Sequence, residues 1–418
     1  MSGRHAPTVM VGNPVTGIAF FDRETEMKEL LALLASGAHV MVAAPRRIGK
    51  TSLLLEARER LGNTYAFLFV DVQACTTEID GLVKLTVAAS EHRDLGQRIL
   101  DPFKNFFGKA DGKLEEIGAA GVSIKLRAGL AADWQTKGNE VLERLAETGK
   151  PVVVWFDELP VLVSALLSGD DHQMTPERVG KTRIFMSWLR EASIRHRNAI
   201  RFVISGSIGL EPLLSRAGIS DTLNTFSSFK VRAWSHKIAL EFVRSRTSDL
   251  ELDAADAKHL LVKLGELIPH HVAKFVQALR IDAARRGATA ITKQEVDRVY
   301  REEMLGVHGH VDLATYEDRL KRVVPPALFS AAIELLTETA TVGRLDPKAA
   351  DAIVRAHAAS DAEAADGLRF LLQVFEHDGY LVSKGKGYVF VSKLVRDWWK
   401  GRFRFGYVPV AKRGSTSA

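Results

Sequence analysis

The chain has 418 residues, 46% hydrophobic and 26% charged, with a formal net charge of +6 and a single cysteine, Cys75. That length accommodates two or three domains with cores of their own, in a composition ordinary for a globular protein. One cysteine excludes an internal disulfide framework and a cysteine-based zinc site, and no apolar run reaches the ~20 residues that span a bilayer. The N-terminus, M-S-G-R-H-A-P-T, has no apolar signal region. The expectation is a cytoplasmic protein, with no membrane partner, in which Cys75 is a buried structural thiol.

From residue 1 to about 232, short apolar runs alternate with longer helical stretches. Residues 39–43, 66–72, 152–156 and 202–205 have the length and composition of buried strands. The segments between them are long enough for crossover helices, so the pattern predicts an α/β fold, a mainly parallel sheet with helices on both faces. Residues 121–127, G-V-S-I-K-L-R, alternate like an edge strand, and 139–148 have helical spacing.

Between the first predicted strand and a predicted helix at 52–61 stands A-P-R-R-I-G-K-T-S, residues 44–52. A strand, a glycine-bearing loop, Lys-Thr and a helix make up a phosphate loop. Gly49 lets the backbone wrap a phosphate. The N–H groups of Gly49, Lys50, Thr51 and Ser52 face it from a helix N-terminus, whose positive dipole end favours anions. Lys50 would reach the β- and γ-phosphates of ATP or ADP, and Thr51 would offer its hydroxyl to Mg2+. Pro45, Arg46, Arg47 and Ile48 complete the nucleotide-facing loop. Ala44 stands where the pattern G-x-x-x-x-G-K-[S/T] has its first glycine. A left-handed backbone there would cost about 1–2 kcal/mol.

Residues 151–159, P-V-V-V-W-F-D-E-L, form an apolar strand ending in two acids, a Walker B pattern. Asp157 would hold Mg2+ through water and Glu158 would polarise the attacking water. Residues 202–209, F-V-I-S-G-S-I-G, put Ser207 where a sensor side chain would meet the γ-phosphate or that water.

Four amphipathic helices are predicted at 235–246, 254–266, 269–286 and 292–305, making a helical lid over 233–306. Asp253 and Thr292 are their N-caps and Pro269 sits in a first turn. Adjacent histidines on a helix point about 100° apart, so His270 and His271 do not share a metal ion. A glycine-containing stretch reads as a linker (307–315). Beyond it, helices at 316–322, 326–337, 347–357 and 362–378 precede a hairpin, 380–383 and 388–392, around Lys384-Gly385-Lys386-Gly387, and a last helix at 394–403. Helices followed by such a hairpin are the layout of a winged helix-turn-helix, here 316–418. From Gly379 onward there are nine basic residues against one acid, Asp397. The charge of the chain therefore sits in its tail, and Lys384, Lys386, Lys393 and Arg396 are candidate DNA contacts. Trp398, Trp399, Phe403 and Phe405 are expected to pack the tail onto its domain. A protein-interaction or autoinhibitory module is the rival reading of this region.

Taken together, F-F-D-R-E-x-E at 20–26, the phosphate loop, D-E-L-P at 157–160, G-S-I-G at 206–209, Y-x-x-R-L at 316–320 and L-V-R-D-W-W-K-G-R-F at 394–403 resemble AAA+/STAND ATPases. They are most similar to the archaeal-type ATPases related to archaeal replication initiators. The resemblance spans nearly the whole chain. It implies a P-loop core with a helical lid and a winged helix, an adenine-side wall at 15–21 including Phe21, a nucleotide role for Arg23, and a lid closing from Pro269. It places an arginine finger near Arg190, Arg195 or Arg197, with Arg195 and Arg197 the candidates. It gives no sensor arginine at the start of the third lid helix, where the two histidines stand. The implied activity is slow hydrolysis of ATP in a nucleotide-controlled switch that self-associates or engages a protein or DNA partner. A loading ATPase of the initiator kind and a nucleotide-retaining scaffold are the alternatives.

Overall fold

The computed structural model describes residues 9–91, 126–127, 129–131, 133–169 and 171–413. The chain divides into two compact units. One holds 23–43 and 54–230; the other holds the segment before residue 23, 44–53 and everything from 231 onward.

The first unit is built on five parallel strands: β1 (His39–Ala43), β2 (Ala66–Asp71), β3 (Val152–Asp157), β4 (Ile200–Ser205) and β5 (Phe226–Lys230), in the order β2-β3-β4-β1-β5. Residues 152–156 of β3 and all of β4 are buried, as befits strands covered on both faces. The helices of this unit include α1 (Glu24–Ala35), most of α2 (Lys50–Leu61), α3 (Glu78–Ser90), α4 (Trp134–Ala146), α5 (Leu159–Ser168), α6 (Pro176–Arg195) and α7 (Leu210–Arg216). His39 is satisfied inside the core: Nε2 lies 2.8 Å from the Ser193 carbonyl, and Nδ1 accepts the Phe202 N–H at 3.1 Å. Cys75 is buried and free, and burial pushes its thiol up to about 11, out of nucleophile range. β5, F-S-S-F-K, was not expected; among the described residues it is an edge strand paired to β1. Residues 121–125 of the expected edge strand lie outside the described residues, and Leu126 and Arg127 are helical.

β4 lies between β1 and β3, so the C-terminal ends of these three strands are neighbours. In open parallel sheets that edge is where ligands bind.

The second unit is helical until its end: α8 (His236–Arg246), α9 (Ala254–Leu264), α10 (Pro269–Arg286), α11 (Lys293–Val299), a π-turn at Tyr300–Met304, α12 (Val307–Val323), α13 (Pro326–Val342), α14 (Pro347–Arg355) and α15 (Asp361–His377). Then come the antiparallel hairpin β6 (Leu381–Lys384) and β7 (Gly387–Phe390), and α16 (Lys393–Phe403). Leu345 bridges Tyr388 beside the hairpin, so the region is laid out as a winged helix. Side-chain oxygens of Ser235 and Asp253 cap α8 and α9, and Thr292 forms a capping box with Glu295.

Residues 307–315 are helical, where glycine content suggested a linker. A Cβ at Gly309 would overlap the carbonyl oxygen of Met304, so this glycine permits a close backbone approach rather than flexibility. Trp398 and Trp399 are buried, and Phe403 packs against Trp399 with the rings tilted, 4.8 Å between centroids. Phe405, expected to pack with them, is 98% exposed, because α16 ends at Phe403. Among the described residues no helix is long and apolar enough to cross a membrane.

Candidate ATPase site

The predicted chemistry is carried by two groups of residues, one in each unit. In the sheet unit, Asp157 ends β3 and Glu158 follows in the left-handed region, φ 61°. Such a conformation costs a non-glycine residue about 1–2 kcal/mol and turns the glutamate out of the strand direction. Ser205 at the end of β4 and Ser207 just beyond it hold the acids. Ser205 Oγ donates to Asp157 Oδ1 at 2.5 Å, while the backbone N–H and hydroxyl of Ser207 both donate to Glu158 Oε2 at 2.9 Å. Asp157 and Ser205 are directly opposed in the β3–β4 register. Arg23, buried at the start of α1, is ion-paired with Glu26 at 2.7 Å. Arg195 and Arg197 are exposed at the end of α6 and just beyond it.

In the helical unit, the loop of residues 44–49 turns through positive φ at Arg47 (63°) and Gly49 (96°). Ala44 is not among the positive-φ residues, so alanine is tolerated there without strain. Lys50 Nζ donates to the carbonyls of Ala44 and Pro45 at 2.9 and 3.1 Å, drawing the loop around its own ammonium. Thr51 and Ser52 follow in the first turn of α2; Ser52 Oγ accepts the Val15 N–H at 3.1 Å, tying the N-terminal segment to the loop. Phe21 packs edge-on against Trp234 and Phe242, at 5.7 and 5.2 Å. Ile48 is buried, and Pro45, Arg46 and Pro269 are half-buried.

Arg47 organises a cluster that spacing alone did not reveal. Its Nη2 pairs with Asp312 of α12 at 2.8 Å and its Nη1 lies 2.7 Å from His270 Nε2 at the start of α10. Lys274 of α10 pairs with the same carboxylate. His270, Lys274 and Arg47 hold the Asp312 carboxyl well below the usual carboxylate range. These partners lie 223 and 265 residues from Arg47 along the chain, a separation that leaves no local signature.

Beside His270, His271 is 2% exposed and neither ring nitrogen has a hydrogen-bond partner among the described residues. Burial, first, then the neighbouring His270 and Arg47, push its pKa down to about 3. The unfolded chain takes up this proton near 6.5 and the folded chain does not, so stability is lost as pH falls below that value. Between pH 7 and 5 this group alone is expected to remove about 2 kcal/mol. Urea midpoints at the two pH values check it: His271→Leu should lessen the difference, and an undiminished difference would assign the loss to other groups.

Residues 20–174 match the family described as an ATPase domain predominantly from Archaea. They are an archaeal-type ATPase domain. The domain binds and hydrolyses ATP. No curated protein matches the sequence. Among solved structures, the Walker-type ATPase of Pyrococcus abyssi is 15% identical, with a TM-score of 0.59 over 91% of this chain and 96% of its own. It extends the likeness in fold well beyond the ATPase domain. The Aeropyrum pernix ORC2 protein, in ADPNP-ADP complexes, is 13% identical (TM-score 0.46; 96% and 98% covered). The ORC1 protein of the same organism, in complex with DNA, is 12% identical (TM-score 0.41; 93% and 94%).

Proposed function

We propose that the chain is a slowly hydrolysing ATP switch in which nucleotide at the phosphate loop acts, through Arg47, on the helices that lead into the winged helix. The observation that carries this reading is the bonding of one loop residue to both α10 and α12, through His270 and Asp312. An arriving phosphate competes with the Asp312 carboxylate for the Arg47 guanidinium, since both are bidentate anionic partners. The loop amides, Lys50 and the first turn of α2 hold the phosphates, with Phe21 and Pro269 on the base side. Residues 233–306 act as the lid and 316–418 as the winged-helix output.

Hydrolysis is assigned to Glu158 as the residue that polarises water, with Ser207 as its sensor. Both donors of Ser207 hold Glu158 Oε2, which leaves Oε1 as the oxygen that meets water. The Thr51 hydroxyl in the helical unit and, separately, the half-buried Asp157 carboxylate in the sheet unit are each a hard oxygen donor of the kind Mg2+ takes, and the ion would neutralise charge on the transferred phosphoryl group. Exposed Arg195 and Arg197 suit an arginine finger offered to a neighbouring copy.

Lys384 and Lys386 stand exposed at the tip of the wing and are assigned to DNA phosphates, with half-buried Lys393 at the start of α16. Arg396 is paired with Asp397, while Arg402 and Arg413 are paired with Glu317 and Glu334. Part of the tail's basicity is thus neutralised within the unit. A protein partner is the second reading, favoured by α15, which exposes Asp361, Glu363, Asp366 and Glu376, of which Asp361 and Asp366 are paired with Arg355 and Arg369. Titrating duplex DNA against salt with ATP present separates the two. Two wing contacts predict a slope of log K against log salt of about −1.8, and Lys384→Glu with Lys386→Glu should abolish binding. No duplex binding at low salt would discard the DNA contact and leave α15 as a docking face for protein.

A further inference from the structure

We propose that Ser205 and Trp155 are positioning residues for Asp157, setting the orientation in which its carboxylate meets the divalent cation of the nucleotide. The inference rests on the reading of Asp157 as the magnesium-side acid and adds to it two residues that no motif singles out.

The geometry is a relay with one possible direction. Trp155 and Asp157 are two residues apart on β3 and so share a sheet face, and the register puts Ser205 opposite Asp157. Trp155 Nε1 lies 2.7 Å from Ser205 Oγ, and Ser205 Oγ lies 2.5 Å from Asp157 Oδ1. An indole N–H can only donate, so the hydroxyl must accept from Trp155. Its single proton is then committed to the carboxylate. A donor aimed at an ionised oxygen makes the stronger, charge-assisted kind of hydrogen bond. Trp155 and Ser205 are 2% and 1% exposed, and the indole is held in turn by Phe69 of β2, at 4.6 Å. Neither side chain has room to release the carboxylate by swinging into water.

The two serines, at and just beyond the end of β4, therefore divide the work: Ser207 holds Glu158 and Ser205 holds Asp157. A purely structural account, in which Ser205 only satisfies a buried indole, makes a different prediction. It expects Ser205 variants to change stability and nothing else. A positioning role expects a change in how metal binds, since groups that orient a metal-side carboxylate typically affect metal affinity 10- to 100-fold.

The test uses the full chain and a fluorescent ADP analogue, titrated with magnesium and in its absence. Manganese in place of magnesium gives a second readout by electron paramagnetic resonance. Ser205→Ala is expected to bind the analogue without metal within about twofold of the unaltered chain, while the magnesium needed for half-saturation rises about tenfold. Ser205→Thr, which keeps the hydroxyl, should restore the metal dependence. Trp155→Phe, which keeps an aromatic ring but removes the donor, should shift it in the same direction as Ser205→Ala by a smaller factor. Unchanged metal dependence in Ser205→Ala overturns the proposal. Should that variant not fold, unchanged metal dependence in Trp155→Phe overturns it instead. If the unaltered chain binds the analogue with no magnesium dependence at all, the reading of Asp157 fails, a result distinct from loss confined to the variants.

Discussion

Glu158→Gln is expected to lower ATP turnover at least about 100-fold while leaving ATP bound, the largest effect of any single change at this site. Glutamine is nearly isosteric, and its amide oxygen can still accept from the Ser207 N–H and hydroxyl that hold Glu158 Oε2 at 2.9 Å. The left-handed turn at residue 158, φ 61°, is a backbone property and also survives. What disappears is the negative charge able to draw a proton from water. A strained, non-glycine φ directly after a buried strand, with its side chain held by two donors, is an arrangement that folding alone has little reason to keep. Single-turnover assays with radiolabelled ATP, beside equilibrium ATP binding, separate the two effects. Unchanged turnover would remove Glu158 from the chemistry. If the chain is instead a scaffold that retains nucleotide, the substitution alters neither hydrolysis nor assembly.

Much of the sheet unit was legible because strands buried on both faces read as unbroken apolar runs. β3 and β4 satisfy that condition, and β2, though an edge strand with Phe69 and Asp71 exposed, still reads as an apolar run. β5 does not: Ser227 and Ser228 interrupt it, and as an edge strand it needs no second apolar face. Lys50, Asp157 and Glu158 could be found because strand, loop and acid occur in fixed local order. Asp312, Lys274 and Ser205 could not. Ser205 meets Asp157 48 residues away through sheet register, and Arg47 meets Asp312 265 residues away through helix packing, neither of which leaves a spacing to read. The glycines at 306 and 309 misled in the opposite sense. Glycine content looks the same whether the chain must bend freely or approach itself closely, and at Gly309 it is close approach. The exposed Phe405 shows the same limit: aromatic content in a tail does not reveal where the last helical turn ends.

The sequence pattern Y-x-x-R-L, read only as a recurrence, acquires a physical role through Arg319, and with it the largest expected stability effect. Arg319 of α12 and Asp378, at the C-terminal end of α15, form an ion pair with Nε to Oδ2 at 3.0 Å, their side chains 4% and 1% exposed. Around them, Tyr380 donates its hydroxyl to the Tyr316 carbonyl at 2.7 Å, and both tyrosines are buried. Among the described residues neither Arg319 Nε nor Nη1 makes a hydrogen bond, so its burial rests on the charge of the neighbouring carboxylate. Asp378→Ala should therefore destabilise the helical unit by about 3–5 kcal/mol, the usual cost of stranding one member of a buried pair. Replacing both residues, Arg319→Met with Asp378→Leu, should recover most of that loss, because it removes the charge and its desolvation together. Chemical denaturation followed by near-ultraviolet circular dichroism measures both. A cost below about 1 kcal/mol for Asp378→Ala would mean that water reaches the guanidinium and that α12 is not held to α15 by this pair. The full cost, with recovery in the double variant, would mean that the helix carrying Asp312 is fixed at its other end by a buried charge. Movement of Arg47 would then shift α12 against a rigid anchor, as a switch requires.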